Sequence, residues 1–359
     1  MEYTAGKYFR FEDIIFSFGK IEKFNTTGIT VRKLGDGVNT VDSYNHFIEC
    51  EINPNNEYAD IAGDGMEMKG KFGFRLFEDK IIIGFGEVGS LVGALINGRF
   101  NNSTLNIFDF PEEISGRILD FKHACACNNN TVLVNALQKV EEANYIIYAA
   151  GYCNQVGESR YSVAQRNKDL INEIFPGIKV NPSTKVIAVT NPVEPVSLWI
   201  HQILKGKNLV LGTGTSLDTA RLVSILSAHF NCQASEIETL VIGEHGDWMI
   251  PLFSQTKING NSILDLVTDQ ELKKIEVELK NSARNIRKTE KATKYGVAEV
   301  CLQLIIKTLN QQSSKEIVSV HIPANLKNEF GIKNDLYVSL PVTLASGGFT
   351  YDHFTMNTK

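Results

Sequence analysis

The run Gly84-Phe-Gly-Glu-Val-Gly89 constrains the fold of this chain more than any other feature, because of what stands on either side of it. It follows the apolar run Lys80–Ile83 directly and leads into a helical run. A glycine-rich loop between a strand and a helix is the pattern of a dinucleotide-binding βαβ unit. Gly84 permits the tight turn, Gly86 lets a diphosphate approach the backbone, and Gly89 allows the helix to pack closely on the strand.

Three further residues extend this prediction to a particular cofactor. Glu87 and Val88 open the helix after the loop, where free backbone N–H groups and the helix dipole favour an anion. The second apolar run ends at Asp109, twenty residues past Gly89. A carboxylate there accepts hydrogen bonds from ribose hydroxyls and repels a 2′-phosphate, so the spacing predicts NAD rather than NADP. The alternative for Asp109 is a turn residue before Pro111.

Short, doubly apolar runs recur after residue 79 and alternate with helical stretches. Such runs suit parallel strands that helices cover on both faces, so the sequence predicts an α/β protein with a Rossmann-type doubly wound parallel sheet. Amphipathic stretches at 216–230 and 270–310 and a strand-rich tail at 317–345 predict a second, α+β catalytic domain. The predicted parallel strands are Lys80–Ile83, Thr104–Phe108, Tyr145–Ala149 and Lys185–Thr190.

The first 78 residues differ in composition from the rest of the chain and hold nine of its 20 phenylalanines. The alternating runs Ile48–Ile52 and Met66–Leu76 predict half-buried strands. We therefore expect a β-rich N-terminal extension of unknown role over 1–78. An NAD-binding Rossmann domain is expected over 79–212 and a substrate and catalytic domain over 213–359.

Composition excludes several classes of protein. Of the 359 residues, 43% are hydrophobic and 21% are charged, as in ordinary globular proteins. No run approaches the ~18 apolar residues of a membrane helix, and a formal net charge of −5 gives no support to nucleic-acid binding. Six cysteines in so long a chain do not resemble a disulfide scaffold, and Cys125 and Cys127 lack partners at zinc spacing. The N-terminus lacks the features of a targeting peptide, so we expect a cytoplasmic protein without metal.

Two charged side chains stand on what should be a buried helix face. Asp218 and Arg221 are three residues apart, hence on one face of the predicted helix, and an apolar stripe continues that face. An ordinary surface ion pair is the alternative. His245 is a candidate partner, because it lies between two glycines just after the buried-type strand Thr239–Ile242. Sites are disproportionately found in such loops at strand ends.

Two other strand ends point to the same edge of the sheet. Asn191 follows the Lys185–Thr190 run, and Gly151 follows the Tyr145–Ala149 run. Open α/β sheets bind ligands at the carboxyl ends of their strands. The polar stretch 152–160, which ends at Arg160, has the length and position of a lid over such a site. A solvated loop with an incidental arginine is the alternative.

Together these dispersed motifs resemble the L-lactate/malate dehydrogenase family, over about residues 79 to 346. The resemblance implies an NAD-dependent 2-hydroxyacid dehydrogenase, closest to L-lactate dehydrogenase, that forms a homodimer or homotetramer and takes a small 2-oxo or 2-hydroxy acid. The matching motifs are GFGEVG at 84–89, LDFKHA at 119–124, AAG at 149–151, GESR at 157–160, TNPV at 190–193, LDTAR at 217–221, GEHGD at 243–247 and KATKYG at 291–296.

The resemblance implies a role for each matching residue. His245 would donate and accept the proton, with Asp218 as its partner. Arg221 would hold the substrate carboxylate in a bidentate fork, and Arg160 would polarise the ketone oxygen. Further contacts to substrate or cofactor are implied for Asn191, Thr293, Ala150 and Gly151.

The departures from the family pattern concern specificity and length. The residue six before the loop arginine is glutamine in lactate enzymes and arginine in malate enzymes, and here it is Asn154. A neutral residue there favours pyruvate or a slightly larger 2-oxo acid over oxaloacetate. We expect the chain to lack the family's usual final helix. Malate dehydrogenase stays open as an alternative, as does a catalytically weakened, dehydrogenase-like binding or regulatory protein.

Overall fold

The computed structural model describes two compact units, Met1–Phe77 and Glu78–Lys359. In the first unit it describes only short strands. In the second unit the described residues are 80–152, 160–309, 313–323, 326–327, 332–345 and 348–352.

Every described residue of the first unit belongs to a β-strand. Strands β1 and β2 pair antiparallel, and β3, β4 and β5 form a separate antiparallel sheet. The alternating runs that predict strands at 48–52 and 66–76 lie outside the described residues. The strands are β1 (Phe9–Phe11), β2 (Ile14–Phe16), β3 (Gly19–Asn25), β4 (Gly28–Leu34) and β5 (Tyr58–Asp60).

The second unit alternates strands and helices along its first half. Its helices are α1 (Glu87–Arg99), α2 (Pro111–Ala126), α3 (Arg160–Ile174), α4 (Val193–Ile203), α5 (Ser216–Phe230), α6 (Asp269–Ile286) and α7 (Tyr295–Leu309). Its strands are β6 (Lys80–Ile83), β7 (Thr104–Phe108), β8 (Thr131–Val134), β9 (Tyr145–Tyr148), β10 (Lys185–Ala188), β11 (Val210–Gly212), β12 (Ile237–Glu238), β13 (Val241–Gly243), β14 (Met249–Pro251), β15 (Lys257–Ile258), β16 (Asn261–Ser262), β17 (Ser314–His321), β18 (Tyr337–Ala345) and β19 (Gly348–Tyr351).

Six parallel strands form the nucleotide-binding half of the main sheet, in the order β8-β7-β6-β9-β10-β11. Strand β6 has β7 on one side and β9 on the other, so the direction of winding reverses between β6 and β9. Ligands of doubly wound folds bind at this switch point, outside the carboxyl ends of the strands. The prediction of a Rossmann-type parallel sheet is therefore confirmed.

The strands are apolar on both faces because helices cover both. Ile82, Ile107 and Ile147 pack in one core with helices α1, α2 and α7. Their neighbours in sequence, Ile81 and Ile146, point to the opposite face and pack with α3 and α4. This alternation follows from the period of two in a β-strand.

The same sheet continues with antiparallel strands into residues 213–352, which the sequence predicts to be catalytic and which are named the catalytic half. Strand β17 pairs with β11, β18 with β17, and β13 with β18. At the junction Gly212 lies opposite Ser319, Ser319 opposite Ser339, and Ser339 opposite Gly243. One continuous sheet thus places the end of β13, just before His245, beside the ends of the parallel strands.

The sequence predicts one amphipathic stretch over 270–310, whereas the structure has two helices there. A break at residues 287–294 separates α6 from α7, and backbone turns at Thr289 and Glu290 fold back onto Ile286. Helix α6 begins at a capping box in which Thr268 and Glu271 satisfy each other's backbone N–H groups. Because the break separates the helices, the catalytic half gains a loop that approaches the nucleotide-binding half.

Among the described helices, none combines the length and the apolarity needed to cross a membrane. The described His, Cys, Asp and Glu side chains also form no group of three that could hold a metal ion. Burial raises the pKa of the Cys125 thiol to about 11, so this cysteine stays protonated at neutral pH.

Ile147→Ala tests the central packing of the sheet. Ile147 is completely buried in the middle of β9, so we expect the variant to lower the free energy of unfolding by about 2–5 kcal/mol. Urea unfolding followed by tryptophan fluorescence measures this loss. Ile286→Ala makes the same chemical change at a residue that is 40% exposed, and it should stay within about 0.5 kcal/mol of the parent protein. Equal effects of the two changes would contradict the assigned core.

Candidate active site

The glycine-rich loop is compact at both ends and open in its middle. Gly84 has a φ of +87°, and a Cβ there would lie 2.4 Å from the backbone of Ala150. A Cβ on Gly89 would lie 1.9 Å from the carbonyl oxygen of Gly84. A Cβ on Gly86 would meet nothing within 4 Å, so the start of α1 is accessible to a ligand. This geometry fits a dinucleotide diphosphate against the N-terminus of α1.

The Asp109 side chain is hydrogen-bonded to the glycine-rich loop, so it does more than form a turn before Pro111. Its Oδ2 accepts a hydrogen bond from the Phe85 N–H at 2.5 Å, and its Oδ1 accepts one from the Phe110 N–H at 2.8 Å. The Asn135 side chain in turn accepts a bond from the Asp109 N–H at 3.2 Å. Each carboxylate oxygen has a second lone pair, so the carboxylate can still accept bonds from a ribose hydroxyl.

A buried asparagine holds two strand-end loops together. Asn167 of α3 is completely buried. Its Oδ1 accepts the Tyr152 N–H at 2.7 Å, and its Nδ2 donates to the Asn191 carbonyl at 2.8 Å. Gly151 leaves no room for a side chain, because a Cβ would lie 2.3 Å from Cγ2 of Thr190. The loops after β9 and β10 are therefore fixed relative to each other.

The centre of the candidate site is a carboxylate that contacts two cationic side chains. Asp218 has no exposed side-chain surface. Its Oδ2 lies 2.5 Å from Nδ1 of His245, and its Oδ1 accepts a hydrogen bond from Nη1 of Arg221 at 2.8 Å. The His245 and Arg221 side chains are 17% and 12% exposed. The alternative of a surface ion pair between Asp218 and Arg221 is therefore wrong, because Asp218 is completely buried and Arg221 is largely buried beside the imidazole.

The electrostatics of this group favour a charged imidazole beside a charged carboxylate. Burial alone would lower the pKa of His245, but the hydrogen bond and the negative charge of Asp218 outweigh it and raise that pKa. Burial alone would raise the pKa of Asp218, but His245 and Arg221 hold it below its usual value. The fully buried carboxylate thus stays ionised and orients the imidazole through Nδ1.

Glu194 is a second buried carboxylate that the sequence reasoning missed. It lies in the first turn of α4, just after the cis peptide bond Asn191–Pro192, and its Oε1 accepts a hydrogen bond from the backbone N–H of His245 at 3.1 Å. Burial raises the pKa of Glu194 to about 7, and the nearby positive charge of His245 opposes this rise. Its acidic side chain within the apolar run Val193–Ile200 is the sequence signal that could have revealed it.

The structure describes three further predicted site residues to different extents. The Arg160 backbone opens α3, but its side chain lies outside the described residues, as does Asn154 altogether. Thr293 is partly buried in the segment between α6 and α7. The segment leads into α7, whose first turn lies near the start of α5, because a Cβ on Gly296 would lie 2.6 Å from Cδ1 of Leu217.

Two family models match the second unit of the chain. The NAD-binding domain of lactate/malate dehydrogenase matches residues 80–209, and the α/β C-terminal domain of lactate/malate dehydrogenase matches residues 215–358. The chain belongs to the lactate/malate dehydrogenase family. This lactate/malate dehydrogenase family member is accordingly an NAD-dependent oxidoreductase that acts on a CH–OH group.

Curated relatives of this family member include both lactate and malate enzymes. The chain is 31% identical over 279 residues to L-lactate dehydrogenase 1 of Clostridium acetobutylicum, which covers 74% of this chain and 87% of the relative. It is also 31% identical over 244 residues to the malate dehydrogenase of Methanosphaera stadtmanae, which covers 66% of this chain and 76% of the relative. These identities do not distinguish the two substrates.

Solved structures share the fold of the second unit. A lactate dehydrogenase from a Medee basin deep-sea metagenome library aligns with a TM-score of 0.68 at 22% identity, over 78% of this chain and 92% of the other. The malate dehydrogenase of Cryptosporidium parvum aligns with a TM-score of 0.70 at 22% identity, over 79% of this chain and 93% of the other. At this identity the likeness concerns the fold alone.

Two glycines of helix α1 give a matched test of the NAD-binding loop. We expect Gly89→Ala to disrupt the loop and weaken NADH binding at least tenfold, because its methyl group would overlap the Gly84 carbonyl. Gly98→Ala places the same methyl group where nothing lies within 4 Å, so it should leave NADH affinity unchanged and favour the helix. The quenching of protein fluorescence by NADH measures both affinities. Equal NADH affinity in the two variants would contradict the described loop geometry.

Proposed function

We propose that this family member is an L-lactate dehydrogenase, which interconverts a small 2-oxo acid such as pyruvate with its 2-hydroxy acid. The observation that carries this proposal is the buried Asp218 carboxylate, which binds His245 through one oxygen and Arg221 through the other. A proton donor and a carboxylate-binding guanidinium are thereby held side by side. Reduction of a 2-oxo acid needs both.

His245 is the proposed proton donor and acceptor. Asp218 engages Nδ1, which leaves Nε2 to face a substrate. When bound at the glycine-rich loop, NADH would supply a hydride to the carbonyl carbon, and Nε2 of the protonated His245 would donate its proton to the carbonyl oxygen. The product is the 2-hydroxy acid with a neutral His245. The pKa of His245 is raised by the hydrogen bond and the charge of Asp218, which favours the protonated imidazole and hence the donor role.

Arg221 is the proposed anchor of the substrate carboxylate. Its bond to Asp218 uses Nη1, and a planar guanidinium offers further N–H groups in a fork that matches a carboxylate. Because Asp218 is completely buried, the guanidinium is held in one orientation. The carboxylate of the substrate would therefore set the position of its carbonyl group relative to His245.

The remaining predicted residues complete the proposed site on the strength of the family resemblance. Arg160 would stabilise the negative charge that develops on the carbonyl oxygen. Asn191 would contact the carbonyl group and the nicotinamide, and Thr293 would line the substrate pocket. The proposed cofactor contacts are Gly84, Gly86, Glu87, Val88, Gly89, Asp109, Ala150, Gly151 and Asn191.

Asn154 supports pyruvate over oxaloacetate as the preferred substrate. A second substrate carboxylate requires a cationic partner, and the neutral amide of Asn154 does not supply one. Malate dehydrogenase is the second candidate, since a malate dehydrogenase is as similar to this chain as a lactate dehydrogenase is. The homodimer or homotetramer stays a prediction from the resemblance, and the cytoplasmic location stays a prediction from the N-terminal sequence.

A panel of 2-oxo acids with NADH tests the proposed reaction. We expect the full-length protein to oxidise NADH with pyruvate at a kcat/KM at least about tenfold higher than with oxaloacetate. Asn154→Arg should reverse this preference, because the new cation pairs with the second carboxylate. His245→Asn should bind NADH normally and lose about 10²–10⁴-fold in kcat. NADH binding without turnover on any 2-oxo acid would favour the binding or regulatory alternative, and a preference for oxaloacetate would favour malate dehydrogenase.

The pH dependence of 2-oxo acid reduction tests the Asp218–His245 pair. The parent protein should be fully active below the raised pKa of His245 and lose about tenfold per pH unit above it, because only the protonated imidazole donates. Asp218→Asn removes the charge that raises this pKa, so the falling limb should move to lower pH and kcat/KM at neutral pH should fall about 10²–10⁴-fold. Asp265→Asn makes the same change at an exposed residue and should retain the parent profile. A profile that does not move in Asp218→Asn would contradict the assigned role.

A further inference from the structure

The first residue of helix α1 contacts two cations from distant parts of the chain. Oε2 of Glu87 lies 3.2 Å from Nζ of Lys294, and Oε1 of Glu87 lies 3.3 Å from Nη2 of Arg117. Nη1 of Arg117 donates a hydrogen bond to the carbonyl oxygen of Phe85 at 2.8 Å. Both cations therefore lie at the edge of the glycine-rich loop.

Lys294 comes from the catalytic half and is set apart from the other lysines of its tract. Lys288, Lys291 and Lys294 have the spacing of one helix face, but they lie in the break between α6 and α7. Lys288 and Lys291 are exposed, whereas the Lys294 side chain is only 26% exposed. Its ammonium thus forms a specific contact between the segment 287–294 and the glycine-rich loop.

The local charge suits a diphosphate. Two cations and one carboxylate leave one net positive charge at the N-terminus of α1, where the helix dipole already favours an anion. The partners of Glu87, with Lys294 foremost, keep its pKa below its usual value, so the carboxylate is ionised at neutral pH. An ionised carboxylate here repels a diphosphate and also competes with it for the ammonium.

We propose that Lys294 is a positioning residue whose ammonium is shared between Glu87 and the diphosphate of the bound dinucleotide. Because Thr293 precedes Lys294 directly, a bound cofactor would then fix the segment that carries the proposed substrate-pocket threonine. Glu87 acts as the competing partner that limits the affinity for the diphosphate. The inference rests on the proposed dehydrogenase function and adds a route by which cofactor binding orders the substrate pocket.

An ordinary surface ion pair is the simpler account of the same contact. Such pairs contribute little to stability and have no reason to respond to a ligand. The two accounts differ in what happens when a diphosphate arrives. If Lys294 also binds the diphosphate, its removal must weaken diphosphate ligands specifically, and removal of Glu87 must strengthen them.

Isothermal titration of the full-length protein with two ligands separates these accounts. ADP-ribose carries the diphosphate, whereas adenosine carries only the base and the ribose. We expect Lys294→Gln to raise the Kd for ADP-ribose about tenfold, as the loss of one charge-assisted hydrogen bond predicts, and to leave the Kd for adenosine unchanged. Glu87→Gln should lower the Kd for ADP-ribose about threefold or more. Lys294→Arg should restore most of the affinity, because it restores the cation.

Lys288→Gln is the matched control, since it removes the same charge from an exposed lysine of the same tract and should leave both affinities unchanged. At saturating NADH, Lys294→Gln should also raise the KM for the 2-oxo acid more than it lowers kcat. Parent-like affinity for ADP-ribose in Lys294→Gln would overturn the proposal, as would equal weakening of ADP-ribose and adenosine. Failure of the parent protein itself to bind ADP-ribose or NADH would instead overturn the dehydrogenase function on which the proposal rests.

Discussion

The structure of the site depends on one buried charge, the carboxylate of Asp218. An ionised carboxylate without water is very costly unless it is paired and hydrogen-bonded. Here one oxygen contacts His245 and the other accepts a bond from Arg221, so the need to satisfy Asp218 itself places both cations. The same pairing raises the pKa of His245 and fixes which ring nitrogen faces outward. Removal of this carboxylate would disturb proton transfer and substrate anchoring together.

The continuous sheet explains how residues so far apart in sequence meet. Parallel strands bring the glycine-rich loop and the loops after β9 and β10 to one edge, where buried Asn167 links two of them. Antiparallel strands β17, β18 and β13 carry the same sheet on to His245. Side-chain contacts also connect the halves: among them, Glu194 binds the backbone of His245, and Lys294 pairs with Glu87. The halves are therefore coupled at the substrate end and at the cofactor end.

Local patterns in the sequence predicted the fold and the loop, while contacts across the sheet stayed hidden. The glycine-rich loop follows its strand directly, and Asp109 lies at the expected distance along the chain. Helical periodicity alone places Asp218 and Arg221 on one face. Asn167, Glu194 and Lys294 act on residues that only the folded sheet brings near, so periodicity carries no signal of their partners. The break between α6 and α7 escaped prediction because residues 284–294 contain no glycine or proline to mark the end of a helix. Of these three residues, Glu194 had the clearest sequence signal, because it is an acidic residue in a largely apolar helix.

The most direct test of the central claim follows hydrogen from the cofactor to the product. The full-length protein is mixed in a single turnover with pyruvate and NADH in which deuterium replaces both hydrogens at C4 of the nicotinamide, and the product is examined by NMR. The account predicts one deuterium at C2 of lactate with the parent protein and a transfer slower by about 10²–10⁴-fold with His245→Asn. Parent protein that binds NADH fully and transfers no deuterium to pyruvate or any other 2-oxo acid would contradict it.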